Sequence, residues 1–489
     1  MSTETAILVA MILPLVGMVL VALTGRNPNL RETMTLLVAV ATFGVVLTIV
    51  PDVLAGGRPE VVVATMLPGL ALAFKVEPLG MLFALVASGL WIVTSVYAIG
   101  YMRGHHEENQ TRFFAFFAFA ISAALGVAFA RNMFTLFIMY EVLTFSTYPL
   151  VTHHRTEEAK RGGRIYMGIL VGTSVSFLLL AMVWTWHLTG TLEFTPGGIL
   201  SGKASEGVIM VLLGLYAFGT GKAALMPFHK WLPSAMVAPT PVSALLHAVA
   251  VVKAGVFTVM KVIVYVFGTD LLSQTGVSVW LMYVAGFTIL VGSLVAMTKD
   301  NLKARLAYST ISQLSYIVLG GALANEWGVI GGSMHIAMHA FGKITLFFCA
   351  GAIMVATHKT EISDMDGIGR IMPVTIFGFF IGTLSVIGLP PMGGSWSKWY
   401  LALGAADAHQ MILVAVLMVS SLLNIMYLMP IVARGFFMPV KQDPHHPLEG
   451  IHEAPLFCVL PICLTSLGCL ILFFYADGLY QMLTPIVQP

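Results

Sequence analysis

Lys222, Lys253, Lys343 and Lys398, together with Glu141, stand inside long apolar runs where almost no other charge is found. His247, His335 and His339 share those runs, and His229 sits beside a helix break. A charge at the centre of a bilayer costs at least ~2.5–3.5 kcal/mol, so five left facing lipid would cost roughly 10 kcal/mol or more. They must instead face an interior that holds water, where they pair or titrate. The plainer alternative is that some are satisfied packing residues or snorkelling ends. It fits Lys222, Lys253 and Lys398 worst, because they lie well inside their runs. Lysine suits proton transfer, since an amine taken out of water gives up its proton more readily. A buried carboxyl shifts the other way unless a cation holds it ionised. A Glu–Lys pair about 7 Å apart interacts by roughly 2 kcal/mol at an effective dielectric of about 20, enough to load or release a proton as the pair opens and closes.

Spacing adds to residue type. His335, His339 and Lys343 follow at i, i+4 and i+8, which stacks them on one helix face as a relay would require. His247 and Lys253 are six apart and point about 120° apart on a regular helix, so they need not act together. Two helices must be broken. One is loosened by glycines around Lys222 and stopped at Pro227; the other is interrupted by Gly388-Leu389-Pro390-Pro391-Met392-Gly393-Gly394, just before Lys398. Non-helical backbone at membrane depth is tolerated only against protein or a water-filled cavity. Interruptions at matching places in two halves of a chain point to inverted repeats, as in transporters.

The elements that position these groups are membrane helices. The 489 residues are 58% hydrophobic and 10% charged, against about 25% charged in a soluble domain. Apolar runs match the roughly 20 residues that cross a bilayer. We expect an all-α polytopic protein of about fourteen helices: 4–24, 32–51, 76–101, 112–130, 133–152, 164–188, 206–226, 240–267, 277–297, 302–323, 327–356, 371–404, 408–437 and 454–484. Pro59–Phe74 should form an external hairpin. The first run follows Glu4 rather than a basic segment, and reads as a permanent helix instead of a signal peptide. Sixteen lysines and arginines fall in connections after odd-numbered helices and five after even-numbered ones, Lys261 among the five. The positive-inside rule then puts odd connections in the cytoplasm and both termini outside the cell's inner (plasma) membrane. Of 23 acids only Glu141 lies well inside a span.

The net charge of +2 offers nothing to nucleic acid. Cys349, Cys458, Cys463 and Cys469 lie in apolar runs without a C-x-x-C pair and read as small buried hydrophobes, so no iron–sulfur, zinc or other cofactor is expected. The loop His105-His106-Glu107-Glu108 and the pair His445-His446 could suggest a metal, but read more simply as solvated loops.

Met226-Pro-Phe-His-Lys-Trp-Leu-Pro-Ser234, Ala238-Pro-Thr-Pro-Val-Ser-Ala-Leu-Leu-His-Ala248, Val252-Lys-Ala-Gly-Val256, Tyr308-Ser-Thr-Ile-Ser-Gln-Leu-Ser-Tyr316 and His335-x-x-x-His339-x-x-x-Lys343 together resemble the antiporter-like subunits of respiratory complex I and its relatives. The resemblance covers at least residues 76–437. It implies two inverted five-helix repeats, helices 4–8 (112–267) and 9–13 (277–437), after an N-terminal unit (1–111) and before a C-terminal helix (454–489), with helices 7 and 12 broken. Position by position, the family's helix 5 glutamate falls on Glu141, its broken-helix lysine on Lys222 and its helix 8 histidine and lysine on His247 and Lys253. Its helix 11 histidines fall on His335 and His339, and its terminal residue on Lys398. One complex I type has glutamate at that last position, and the longest type carries a C-terminal extension beyond helix 14. This chain looks most like the D-type member of the Mrp multisubunit cation/proton antiporter.

The resemblance implies a proton-translocating subunit of a Na+/H+ antiporter that works with other hydrophobic subunits, a longer antiporter-like one among them. Protons would pass from Lys222 and His229 to Lys253, along His335, His339 and Lys343, and out at Lys398, with Glu141 tuning Lys222. The alternative is the pumping arm of a complex I-like oxidoreductase or membrane-bound hydrogenase. Without cofactor ligands the chain is no electron carrier itself, and whether it counts as part of an enzyme depends on its partners. A stand-alone solute carrier with Trp396 or Trp399 in its site is the remoter possibility.

Overall fold

The computed structural model describes residues 2–441 and 450–488; the His445-His446 pair lies outside them. A helix occupies each expected place: α1 Thr3–Leu23, α2 Pro28–Leu54, α3 Pro78–Gly104, α4 Gln110–Ala128, α5 Met133–Val151, α6 Glu157–Thr189, α7 Glu206–Gly219, α8 Thr240–Phe267, α9 Val279–Met297, α10 Leu302–Ala322, α11 Glu326–Thr357, α12 as two arms (Pro373–Ile387 and Gly394–Asp407), α13 Met411–Phe437 and α14 Leu456–Phe474. Eleven of these are long and apolar enough to cross a membrane. α7 and the first arm of α12 are apolar but shorter, and α10 carries too many polar residues to qualify. The starts follow from local chemistry. Proline stands in the first turn of α2, α3 and α12, where its missing N–H costs nothing. Asn132, Asn301 and Asn325 cap α5, α10 and α11 by accepting a backbone N–H three residues on.

Burial sorts the helices into shells. α8 is buried along its whole length, whereas α1, α2, α13 and α14 turn apolar faces outward. Leu37, Val40, Met418, Leu422 and Leu464 lie on those outward faces, as a lipid-facing belt requires. Cys463 is on one of them too, so it is exposed rather than buried as expected; the other three cysteines are buried. The reason is its place on the outer side of α14, a helix apolar all round, where residue type alone does not tell core from lipid. The expected hairpin is present. β1 (Glu60–Leu67) pairs antiparallel with β2 (Leu70–Lys75), turning at Pro68 and Gly69.

Both breaks fall where expected, although α7 ends at Gly219, seven residues short of the anticipated boundary. The chain then makes a single 3₁₀ turn, Gly221–Ala223, that carries Lys222. This turn lies directly on α8, and a Cβ on Gly255 would come within 2.3 Å of the Lys222 carbonyl carbon and the Ala223 nitrogen. Only a residue without a side chain lets the unwound segment approach that closely. Trp231 Nε1 donates to the Gly221 carbonyl at 2.9 Å, satisfying an acceptor the lost helix would have bonded.

A second sequence expectation needs correction. The charge pattern puts Lys261 with the outer connections, but it is fully buried within α8. Its Nζ lies 2.8 Å from Glu77 Oε1 and donates to the Ala130 carbonyl at 2.7 Å. The partner is 184 positions away and comes from the β2–α3 junction, so only the tertiary fold brings the two together. Lys261 is thus a fifth lysine inside a span, and it has a counter-ion. Removing one member of a buried pair leaves an uncompensated charge at a cost of about 3–5 kcal/mol, whereas removing both is far milder. Lys261→Met should therefore lower the thermal unfolding midpoint sharply, and Lys261→Met with Glu77→Gln should restore most of it, as read by unfolding of the purified protein.

Candidate functional site

Four lysines differ from Lys261 in one respect. Among the described residues, none of Lys222, Lys253, Lys343 and Lys398 has a carboxylate within the 4.0 Å of an ion pair. Lys222 Nζ donates to the Tyr140 carbonyl at 2.9 Å and to the Thr144 hydroxyl, both on α5, and sits 3.1 Å from the Tyr140 ring centroid. The Lys222 backbone N–H donates to Tyr140 Oη at 3.1 Å, so α5 holds the unwound turn by both ends of one residue. Glu141 follows Tyr140 on α5 but forms no ion pair with Lys222, and its Oε1 is buried without a hydrogen-bond partner. The anticipated Glu141–Lys222 pair is open in this structure.

In the second half of the line the groups lie close together. Lys253 Nζ, on α8, lies 2.6 Å from His339 Nδ1 on α11. The His339 and His335 rings are 5.8 Å apart, one turn along the same face as their spacing demands. His335 Nδ1 is 2.8 Å from Ser397 Oγ and its Nε2 is 3.2 Å from Gln313 Oε1. Tyr316 stacks on His335 at 5.5 Å and has Lys398 Nζ 4.8 Å from its own ring centroid. Lys398 is half-buried and donates at 3.0 Å to the Ile387 carbonyl, the last residue of the first arm of α12. A cation at a helix C-terminus is favourable. The break in α12 thus supplies the carbonyl that holds Lys398, and beside it an open groove of about 720 Å³ runs from Gly388, Trp396 and Ser421 out to Met418 and Leu422 on the outward face.

Other expected members stand apart. Lys343 shares the α11 face but turns toward α10, donating to Ser309 Oγ and, at 3.5 Å, to the Leu306 carbonyl. Ser309 continues to Tyr427 at 2.7 Å. His247 lies on a π turn, Leu245–Val249, inside α8; its ring is 4.6 Å from that of Phe347 and neither nitrogen has a protein partner. His229 lies beyond the α7 break, its ring 6.3 Å from that of Tyr308. No direct hydrogen bond joins Lys222 to Lys253 among the described residues. Among those residues, too, no cluster is arranged to hold a metal ion.

Sequence reasoning does not single out Tyr140, Thr144, Gln313, Tyr316 and Ser397 as site residues. Gln313 could have been found, since an amide in the middle of a span must have a partner. The hydroxyls could not, because Ser and Thr within helices usually bond their own backbone.

This arrangement can pass a proton between neutral and charged amines and imidazoles, and it defines a multi-pass membrane protein of the antiporter-like class. Comparison with known proteins agrees. Residues 130–424 match the family described as NADH:quinone oxidoreductase/Mrp antiporter, TM, and residues 69–114 match the N-terminus of complex I chain 5. The chain is 30% identical to the N subunit of NADH-quinone oxidoreductase from Desulforudis audaxviator, over 86% of this chain and 85% of that relative. It is 31% identical to the A subunit of the Na(+)/H(+) antiporter from Alkalihalophilus pseudofirmus, over 86% of this chain and 55% of that longer relative. Its fold superposes on a chain of the Mrp complex from Dietzia sp. with a TM-score of 0.88, 22% identity and coverage of 100% and 97%. The chain belongs to the NADH:quinone oxidoreductase/Mrp antiporter membrane family.

The Lys222 contact gives a direct test. Thr144→Val removes a buried hydroxyl partner of the ammonium and should cost about 1–3 kcal/mol of stability, while Thr144→Ser should recover most of it. Thermal unfolding of the two variants checks this.

Proposed function

We propose that this chain is the proton-translocating subunit of a multisubunit Na+/H+ antiporter, its D-type member. The observation that carries the reading is the succession of Lys253, His339, His335 and, across the Tyr316 ring, Lys398, groups that exchange protons and, among the described residues, have no carboxylate in ion-pair contact to hold the amines permanently charged. In this reading protons come from the cytoplasmic side near Lys222 and His229, reach Lys253 at the centre of α8, and leave on the outer side past Lys398. Lys343 serves as a side branch, and the flow reverses when proton influx drives Na+ efflux. Glu141 acts by closing onto Lys222 and opening again. All fourteen helices cross the membrane, with both termini outside, and α4–α8 and α9–α13 form inverted repeats centred on the broken helices α7 and α12. The partners are hydrophobic membrane subunits, one of them a longer antiporter-like chain.

The second reading, the pumping arm of a redox-driven complex, draws on the likeness to the oxidoreductase N subunit over most of that relative's length. Lysine at position 398 and the segment Ser243–Ala248 favour the antiporter. The native complex decides between them. Hydrophobic subunits without flavin or iron–sulfur proteins should co-purify with the tagged chain, and redox subunits in the same preparation would instead establish the second reading. In membrane vesicles, Lys222→Ala and Glu141→Ala should each lower proton flux by about 100-fold or more, the order of a lost proton-transfer group, with the complex still assembled. Wild-type flux in both variants would refute the relay.

A further inference from the structure

The loop after α3 holds a cluster that the relay does not use. Glu107 belongs to a stretch that reads as solvated, yet its side chain is only 6% exposed while neighbouring Glu108 lies open. Three imidazoles from two separate connections surround its carboxylate. His105 Nδ1 is 3.0 Å from Oε1, and His154 Nδ1 and His153 Nε2 are 3.5 and 3.9 Å from Oε2. Backbone contacts fix the cluster in place: the Glu107 N–H donates to the Met102 carbonyl at 2.9 Å, and Gln110 Nε2 donates to the Glu107 carbonyl at 3.0 Å. Of the cluster, His105, Glu107 and His154 line a cavity of about 180 Å³ together with Tyr101, Thr240 and Lys303.

Thr240 is the first residue of α8, so the floor of this cavity is the start of the helix that carries Lys253. Below it, along α8, come Ser243 and then His247, each completely buried. The Ser243 hydroxyl and both His247 nitrogens have no protein partner. His339 Nε2 on α11 has none either, while its Nδ1 meets Lys253. Buried polar atoms almost always have a partner, and where protein supplies none, water does. Thr240, Ser243 and His247 follow one another along α8 between the cavity and Lys253, with the π turn Leu245–Val249 setting the direction of His247, and their unpartnered atoms lead from the cavity toward the Lys253–His339 pair.

We propose that Glu107 with His105, His153 and His154 is a second proton-collecting site of the cytoplasmic face, beside the entry near Lys222 and His229, feeding Lys253 along α8. The inference rests on the relay reading above. The groups facing the cluster are Tyr101 from α3, Arg112 from α4, Arg155 after α5, Lys303 from α10, and His358 and Lys359 after α11. This is mostly positive surroundings for one carboxylate. Burial, and after it the Arg112 guanidinium, hold the His153 imidazole down at about 4. Burial also lowers His154, against the opposing pull of Glu107. A neutral imidazole can take a proton at one ring nitrogen while giving one up from the other, which is what handing it on from the carboxylate requires.

A collecting site matters most when protons are scarce. The experiment measures proton flux of the assembled complex in proteoliposomes while the pH on the loop side is varied from about 6 to about 8.5. Glu107→Gln should match wild type at the acidic end and fall about tenfold behind at the alkaline end, the scale of a lost proton-transfer group. His154→Gln should follow it, and Glu108→Gln on the open side of the loop should track wild type throughout. A Glu107→Gln profile superimposable on wild type, or lowered by one factor at every pH, overturns the collecting site. Lys253→Ala in the same assay separates the two ideas. If it abolishes flux while Glu107→Gln is silent, the relay stands and the intake site does not. Full flux in Lys253→Ala removes the relay, and the intake site with it.

Discussion

Taking an ammonium out of water costs several kcal/mol even after the protein relaxes around it, and the usual remedy is a carboxylate in contact. Among the described residues this chain applies that remedy once to its span lysines, at Lys261 and Glu77, and withholds it from Lys222, Lys253, Lys343 and Lys398. Those four are held instead by carbonyls, hydroxyls, an imidazole and aromatic faces. Such partners stabilise the charged form only in part, and they accept the neutral amine as well. A permanently paired lysine fastens α8 to the β2–α3 junction; an unpaired one can lose and regain its proton. The same residue type therefore has two roles, and the difference lies in the counter-ion.

The two helix breaks follow from this constraint. An intact helix keeps its carbonyls for its own N–H groups. Ending the first arm of α12 at Ile387 frees a carbonyl for Lys398, and unwinding the chain after Gly219 lets Lys222 reach α5 with both its backbone and its side chain. Close packing of the unwound turn then demands Gly255 on α8. The central position of α8, buried throughout, is what brings its Lys253 against His339 of the second half of the chain.

Local features are legible in the sequence. Apolar runs, the Pro68–Gly69 hairpin and the glycine–proline breaks depend on neighbouring residues, and each is where the pattern puts it, although single boundaries differ by seven to ten residues. The i, i+4 spacing of His335 and His339 survives intact because α11 is a regular helix. His247 cannot be placed in the same way, since the π turn around it shifts the phase of α8. Features made by distant residues are not readable. Nothing near Lys261 announces Glu77, and nothing in His105-His106-Glu107-Glu108 shows that one glutamate turns inward to meet histidines from the loop after α5. Charge and hydropathy along the chain put both in connections, because a window of neighbours says nothing about tertiary partners.

The central claim is that these lysines must release a proton as well as bind one, and Lys398→Arg tests it most directly. Arginine keeps the positive charge and the donors but does not deprotonate in proteins. The groove of about 720 Å³ beside Lys398 has room for a guanidinium, so the exchange need not disturb packing. Proton flux through the assembled complex should fall to background with the arginine in place. Flux close to wild type would mean that a fixed charge is enough at this position, and would contradict the account.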